Sequence, residues 1–309
     1  MAALRVQARA KINLDLRVVG RRPDGYHELR TVFQALDLHD TVTVTSTRGA
    51  LRLLGDASRM PLDSTNLAWR AAEALWHAAG RPGGPHGVRI DIVKRIPSAA
   101  GLGGGSSDAA AVLAALNEVW KVRLPLAALQ QVASGLGADV AFFLVGGTAL
   151  GLGRGDEIYP LVDLPVRPVV VAWPAEGVAS TEAYAWLSAD RAAARPHDIA
   201  PDIGGLAPIV EGAVGRPDML GMLAGQFDEL RNDLEGAVEI RRPAIAEIRQ
   251  FLTRQGAAAA RMSGSGSAVF GLFADDDAAK RAASAVLAHG WQGVATRTRR
   301  RLAGTLGGR

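Results

Sequence analysis

Residues 11–18 alternate strictly between polar and apolar side chains, which is the period of a β-strand. The apolar positions are Ile12, Leu14, Leu16 and Val18, and the polar ones are Lys11, Asn13, Asp15 and Arg17. Alternate side chains of a strand share one face, so we expect Lys11 and Asn13 to point the same way, about 6–7 Å apart.

Weaker patterns along the rest of the chain predict further strands and helices. Strands are expected at 29–36, 41–47, 88–92, 168–173, 257–262, 268–273 and near 294. Helices are expected at 63–79, 108–120, 126–135, 181–187, 219–234, 242–255 and 275–289. Asp63 or Ser64 is the expected cap of the first helix, and Pro, Gly and Asp predict a loop or insertion at 190–217. The predicted strands are more numerous than a simple strand–helix alternation would contain. The predicted class is therefore α+β with mixed or antiparallel sheets.

A chain of 309 residues and 32.3 kDa has room for two domains or one large one. Four prolines between residues 160 and 174 suggest a junction, which predicts domains at 1–160 and 161–309. The sequence contains no cysteine, which excludes disulfide scaffolds, thiolate nucleophiles, zinc ribbons and iron–sulfur clusters.

The formal net charge of +4 comes from the end of the chain. Residues 296–309 contain five arginines and no acid, so the remaining chain sums to −1. We expect this basic segment to be a solvated tail, and contact with nucleic acid is the alternative. Only four residues are lysine, namely Lys11, Lys94, Lys121 and Lys280.

The N-terminal residues do not have the pattern of a secretory signal, because Arg5, Arg9 and Lys11 precede no apolar run. The uncharged stretch at 140–153 is too short and too interrupted by glycine to span a bilayer. We therefore expect a cytoplasmic protein without membrane contact.

A glycine-rich segment at 97–107, the glycine loop, joins a predicted strand to a predicted helix. The dinucleotide pattern G-x-G-x-x-G fails, because Ser106 occupies the third glycine position. The P-loop pattern fails as well, because no lysine occurs between Lys94 and Lys121.

Glycine nevertheless allows close approach of a ligand to the backbone, and a helix start attracts anions. These properties favour a phosphate cradle at the glycine loop, with a flexible loop and an ordinary serine cap as the alternative. A second glycine-containing segment at 263–267, the serine turn, is either a second phosphate contact or a simple hairpin turn.

The order and spacing of three segments resemble the GHMP kinases, small-molecule kinases that share a glycine-rich ATP motif. These segments are the Lys11 strand, the glycine loop and the serine turn. Further motifs resemble the branch of that superfamily that phosphorylates a cytidine diphosphate derivative of methylerythritol for isoprenoid synthesis. They are Ala10-Lys11-Ile12-Asn13-Leu14, Arg22-Pro23-Asp24-Gly25-Tyr26-His27-Glu28-Leu29, Gly135-Leu136-Gly137-Ala138-Asp139-Val140 and Asn232-Asp233-Leu234-Glu235.

The resemblance implies roles for individual residues, carried over by position. Lys11 and Asp139 fall on the catalytic pair, with Asp139 as the base and Lys11 as the stabiliser of charge. The ATP positions are Asn66, Pro97, Ser98, Ala99, Ala100, Gly101, Leu102, Gly103, Gly104, Gly105, Ser106 and Ser107. The positions for the cytidine substrate are Asn13, Tyr26, His27, Asp139 and Tyr184. Ser98, Ala99 and Ala100 depart from the family, which has glycine before the position of Gly101.

ATP is the implied phosphoryl donor, and Mg²⁺ is expected with it, held mainly by phosphate oxygens and water. No carboxylate cluster in the sequence predicts a metal site of the protein itself, and Ser107 is its one candidate metal contact. The alternatives are a GHMP kinase for homoserine or mevalonate and a nucleotide-binding regulator without catalysis. A monomer or a homodimer is equally compatible with the sequence.

Overall fold

The computed structural model describes residues 3–193 and 230–301, and within them two sheets form. The first sheet contains β1 (Ala3–Arg21), β2 (His27–Ala50), β3 (Arg52–Gly55), β4 (His86–Val93), β5 (Thr148–Leu152) and β6 (Glu157–Pro160). The second contains β7 (Pro168–Trp173), β8 (Ala259–Met262), β9 (Val269–Leu272) and β10 (Gln292–Arg297). The helices are α1 (Leu67–Ala78), α2 (Gly104–Val119), α3 (Leu126–Leu136), α4 (Val140–Val145), α5 (Ser180–Ala193), α6 (Glu235–Arg241), α7 (Pro243–Arg254) and α8 (Asp276–Ala288).

The strand β2 organises the first sheet, which has the order β3-β4-β2-β5-β6 with β1 also paired to β2. It is a single strand of 24 residues where the sequence predicts two, because His39 and Asp40 pair with Arg9 and Ala8 of β1 and the ladder resumes at Ala35 after a register shift. All pairings are antiparallel except β3 with β4, and the second sheet has the order β10-β7-β9-β8. The predicted α+β class is confirmed.

The strand β1 belongs to the first sheet and packs against the second. At residues 11–18 it is buried on both of its faces. Ile12 and Leu14 pack in a cluster that also contains Val171 and Phe270 of the second sheet. Bridges between Leu16 and Asn232 and between Leu36 and Thr298 also connect the two halves. The division of the chain at 160/161 stays a prediction.

Several predicted helix boundaries are wrong. The helix α1 begins at Leu67, capped by Asn66, because the carboxylate of Asp63 is engaged by Thr65 instead. The helix α2 begins four residues earlier than expected, at Gly104, because Gly103 adopts a left-handed conformation that a glycine cap tolerates.

Boundaries in the second half also differ from expectation. The helix α5 continues to Ala193, so the start of the loop predicted at 190–217 is helical, and the rest lies outside the described residues. The end of the helix predicted at 219–234 is wrong, because residues 230–234 are irregular, whereas 219–229 lie outside the described range. The helix predicted at 242–255 is confirmed as α7, with Pro243 in its first turn, and α6 precedes it unpredicted.

The expectation of a solvated tail is wrong for residues 296–301, and 302–309 lie outside the described residues. The backbone N–H of Thr298 donates to the carbonyl of Arg167, and that of Arg299 donates to the carbonyl of Ala35. The backbone N–H of Arg301 donates to Oδ2 of Asp163 at 2.7 Å. Residues 298–301 directly follow β10, and their backbone hydrogen bonds hold them against the protein in spite of the charge on their side chains.

Asp163 connects the tail to the first sheet, since its Oδ1 also accepts from the backbone N–H of Thr148 at 2.8 Å. We expect Asp163→Ala to lower the free energy of unfolding by about 1–3 kcal/mol, because two backbone donors lose their acceptor. Urea denaturation checks this prediction. The control Asp277→Ala removes an exposed carboxylate paired with Lys280 and should change stability by less than about 0.5 kcal/mol. Equal effects would contradict the anchoring role of Asp163.

Candidate active site

A cleft of about 1570 Å³ contains almost all of the predicted site residues in its wall. Lys11 and Asp139 line it together with Asn13, Tyr26, His27, Asn66, Tyr184 and residues 97–106. Ser107 is the exception, because its side chain turns into the protein and the residue is 2% exposed. Residues far apart in the sequence therefore converge on one site.

Lys11 and Asp139 form an ion pair in the cleft, with 3.3 Å between Nζ and Oδ2. The Lys11 side chain is 4% exposed and that of Asp139 is 33% exposed. A solvent-facing lysine is thereby excluded. A capping role for Asp139 is excluded too, because it precedes α4 without a side-chain hydrogen bond to that helix. The carboxylate is therefore free to meet a ligand.

A chain of hydrogen bonds fixes the position of the Lys11 ammonium group. It donates to Oδ1 of Asn13 at 2.7 Å, and Nδ2 of Asn13 donates to Oγ1 of Thr31 at 2.7 Å. That hydroxyl donates in turn to the carbonyl of Asp15. Both polar atoms of the Asn13 side chain are thus engaged, and the arrangement holds Lys11 beside Asp139.

The glycine loop ends at a helix start that has free donors. Gly103, the cap residue of α2, has no side chain to accept from the first N–H groups, and the first turn contains no acid. These N–H groups and the helix dipole favour an anion at this end of the cleft. Ala99 has a φ of 52°, so the family departure at this position is accommodated by a left-handed alanine.

The glycine loop and the serine turn are in direct backbone contact. Gly101 has a φ of 73°, and a Cβ added there would lie 2.1 Å from the carbonyl oxygen of Ser263. The Ser263 hydroxyl donates to the carbonyl of Gly101 at 3.0 Å. Gly264 lies beside Lys11, since a Cβ added to it would be 3.2 Å from Nζ. The serine turn is therefore part of the site.

The segment 232–235 supports the serine turn through hydrogen bonds on the side away from the cleft. Nδ2 of Asn232 donates to the carbonyls of Met262 and Gly264 at 2.8 and 2.7 Å. Glu235 accepts from the backbone N–H of Met262 at 2.7 Å. This motif shapes the turn without lining the cleft.

The other end of the cleft is aromatic. His27 stacks on Tyr184 with 4.8 Å between ring centroids, and its Nε2 lies 3.1 Å from Oγ of Ser188. Burial raises the pKa of Tyr184, and the nearby charge of Asp139 raises it further. Partial burial lowers the pKa of His27, as do the charges of Arg21 and Arg191. Tyr26 is 58% exposed.

Asn66 lies at the opposite side of the cleft, where it caps α1. Its Oδ1 accepts from the backbone N–H of Ala68 at 2.8 Å, and Nδ2 donates to the carbonyl of Pro61. The residue is 8% exposed, so its side chain shapes the wall and presents little surface.

Three charged residues form a buried cluster beneath the glycine loop. Lys94 pairs with Asp40 and with Asp108, the latter at 2.7 Å. Burial raises the pKa of Asp108 to about 7, with Lys94 opposing and Asp40 adding to the rise. The second oxygen of Asp108, Oδ1, has no hydrogen-bond partner.

Comparison with known proteins assigns the chain to a family. Residues 66–147 match the GHMP kinases N terminal domain, and residues 210–290 match the GHMP kinases C terminal domain. A 4-diphosphocytidyl-2-C-methyl-D-erythritol kinase of Solibacter usitatus is 42% identical over 90% of this chain and 83% of its own length. That of Geobacter sulfurreducens is 40% identical over 96% of this chain and 100% of its own. The chain belongs to the 4-diphosphocytidyl-2-C-methyl-D-erythritol kinase family.

Solved structures agree with this family membership. A crystal structure of 4-(cytidine 5'-diphospho)-2C-methyl-D-erythritol kinase has a TM-score of 0.76 and 39% identity, covering 96% of this chain and 99% of its own. A homoserine kinase from Cytophaga hutchinsonii has a TM-score of 0.72 at 19% identity, covering 98% of this chain and 96% of its own. The second match shows the fold alone.

Sequence reasoning missed several residues of the site. Lys94, Asp108 and Arg154 also line the cleft. Gly264 to Gly266 lie in its wall as well, and they belong to the serine turn, for which the sequence predicts either a second phosphate contact or a hairpin turn. Arg154 lies over the Tyr26 ring, 5.2 Å from its centroid. The scarcity of lysine was a signal for Lys94, whereas no local pattern distinguishes Arg154 from the other arginines.

Residues 3–193 and 230–301 contain neither a metal-binding cluster nor a membrane-spanning helix. They contain no group of three or more His, Asp or Glu side chains placed to bind a metal ion. None of their helices combines the length and the apolar character needed to cross a membrane.

The raised pKa of Asp108 predicts a pH dependence of stability. Its folded pKa of about 7 exceeds the ordinary 3.8, so the folded state binds an extra proton between these values. The stabilisation is complete below about pH 4 and is lost as the pH rises towards 7. We therefore expect the unfolding free energy of the wild type, relative to Asp108→Asn, to fall across this window. Urea denaturation between pH 4 and 8 measures it, and a pH-independent difference would contradict the assignment.

Proposed function

We propose that the chain transfers the γ-phosphoryl group of ATP to a hydroxyl of 4-diphosphocytidyl-2-C-methyl-D-erythritol. The observation that carries this proposal is the Lys11–Asp139 ion pair in the cleft, between a helix start with free N–H donors and an aromatic end. Membership of the family supports the choice of acceptor over homoserine or mevalonate.

Asp139 is the proposed general base, since its carboxylate is accessible and, among residues 3–193 and 230–301, pairs with Lys11 alone. It takes the proton of the acceptor hydroxyl as the oxygen bonds to the γ-phosphorus, while the bond to the bridging oxygen breaks and ADP leaves. Lys11 pairs with the carboxylate before the step and stabilises negative charge on oxygen during it. The hydrogen bond to Asn13 holds the Lys11 ammonium group beside the Asp139 carboxylate, where it can act both before and during the transfer.

The glycine loop is the proposed site of the donor phosphates. Free N–H groups at the start of α2, the dipole of that helix and the adjoining serine turn supply hydrogen bonds and positive potential without a P-loop lysine. Mg²⁺ bound to these phosphates would neutralise part of their charge. Asn66, as the cap of α1, is proposed to shape the wall near the adenine.

The cytidine is proposed to bind at the aromatic end, against Tyr184, His27 and Tyr26. Aromatic faces stack on a pyrimidine with about 1–3 kcal/mol per base. The lowered pKa of His27 favours a neutral ring, and its Nδ1 remains for one hydrogen bond with the base, since Nε2 lies beside Oγ of Ser188. Because ATP is a metabolite of the cytoplasm, we place the enzyme there, acting on a small molecule in isoprenoid synthesis.

The function is tested by ADP release in a coupled assay with ATP, Mg²⁺ and one acceptor at a time. We expect turnover with 4-diphosphocytidyl-2-C-methyl-D-erythritol and none with mevalonate or homoserine. Turnover with either of the latter alone would replace the proposed acceptor, and ATP binding without any turnover would favour the regulator.

We expect Asp139→Asn to lower kcat by about 10²–10⁴-fold, the usual contribution of a general base, while ATP binding persists. The matched control is Asp91→Asn, because Asp91 has the same side-chain exposure, 33%, and is also paired with a cation, Arg89. Steady-state kinetics and ATP titration measure both variants. Turnover of Asp139→Asn at the level of Asp91→Asn would exclude Asp139 as the base.

A further inference from the structure

The buried cluster of Asp40, Lys94 and Asp108 has no task in the proposed reaction, yet it lies directly beneath the glycine loop. Its three side chains come from three elements, the strand β2, the segment after β4 and the first half of α2. Each side chain is at most 5% exposed. Burying three charges is costly unless they are paired and hydrogen-bonded, so the cluster needs a reason beyond stability.

Asp40 uses both of its oxygens, each for a different purpose. Oδ2 accepts from Lys94, whereas Oδ1 accepts from the backbone N–H groups of Arg95 and Ile96, the latter at 2.8 Å. These two residues immediately precede the glycine loop. Asp40 thus ties the beginning of the loop to the long strand β2.

Asp108 accepts a hydrogen bond through one oxygen, and this bond holds the second end of the glycine loop. Its Oδ2 accepts from Lys94 at 2.7 Å, and its Oδ1 has no partner. The residue lies one turn after Gly104, where the glycine loop passes into α2. Lys94 therefore joins both ends of the loop through a single ammonium group.

We propose that Asp40, Lys94 and Asp108 are positioning residues that clamp the two ends of the glycine loop to β2, thereby setting the geometry of the donor site. The middle of the loop is held separately, by the buried side chains of Ala100 and Leu102 and by Ser263. The left-handed residues Ala99, Gly101 and Gly103 turn the backbone between these held positions, so the ends and the middle together decide where the N–H groups of the loop point. The proposal rests on the assignment of this loop to ATP.

The two carboxylates allow a matched test with the same substitution. In Asp40→Asn a single amide oxygen cannot accept from both Lys94 and the backbone, and the amide NH₂ must face a donor. In Asp108→Asn the amide oxygen still accepts from Lys94, so the clamp survives. Asp108→Ala removes that bond and opens one end of the loop without touching the backbone acceptor.

We expect Asp40→Asn and Asp108→Ala to weaken ATP binding by about 10- to 100-fold, the cost of misplacing a site by about an ångström. Asp108→Asn should stay within about threefold of the wild type, and the KM of the cytidine substrate should change little in all three variants. The measurements are KM for each substrate and direct binding of a fluorescent ATP analogue without acceptor. Circular dichroism establishes that each variant is folded, and Asp108→Ala replaces Asp40→Asn if the latter does not fold.

Three outcomes would overturn the clamp. Equal ATP affinities of Asp40→Asn and Asp108→Asn would show that the second acceptor of Asp40 does not matter. A large loss in Asp108→Asn would indicate direct contact of Asp108 with the nucleotide. Parallel losses for both substrates would indicate a general structural role. Because nucleotide binding is measured without the acceptor, failure of the proposed acceptor would leave this test intact.

Discussion

The site depends on one constraint, which is that β1 is buried on both faces. An alternating strand at a protein surface would expose its polar side chains, but here the second sheet covers the apolar face and the cleft elements cover the polar one. Charged groups in such surroundings need partners, because an isolated buried charge is far less stable than a hydrated one. Asp139 and Asn13 are the partners of Lys11, so the same burial that stabilises the fold brings the reactive pair together.

A second consequence of the buried strand is the contact between the two loops. The apolar cluster that contains Ile12 and Leu14 also contains Ala100 and Leu102, so the glycine loop is anchored between the sheets. The backbone N–H of Lys11 donates to the carbonyl of Leu102 at 3.0 Å, which places the loop beside the ammonium group. The donor site and the reactive pair are therefore parts of one packed unit, although Lys11 lies 86 residues before the start of the glycine loop and Asp139 lies 32 residues after its end.

The chemistry of the site was more predictable than the boundaries of its elements. Lys11, Asp139 and the glycine loop belong to sequence motifs, so their expected place in the site follows from their position within the motif. The extent of β2 was not predictable, because Asp37, His39 and Asp40 interrupt the apolar pattern and the strand continues there through the pairing of His39 and Asp40 with β1. Asp40 as a partner of Lys94 depends on a tertiary contact, which no local pattern records. Asn66 as a cap is a local feature, but Asp63 and Ser64 offered equally suitable side chains nearby. The prediction of a solvated tail is wrong for residues 296–301. It rested on their positive charge, whereas the strand that precedes them continues into this segment and sets its backbone contacts.

The packing of residues 298–301 against the first sheet also affects how the protein forms during its synthesis. Nε2 of Gln34 donates to the carbonyl of Arg299 across 265 residues of sequence. A ribosome adds about 5–20 residues per second, so this edge of β2 waits tens of seconds for its partner. Contacts of such sequence separation also slow folding, because the intervening chain must be ordered first. This part of the first sheet can therefore be completed only after residues 298–301 have been synthesised, long after the rest of β2 has met β1 and β4.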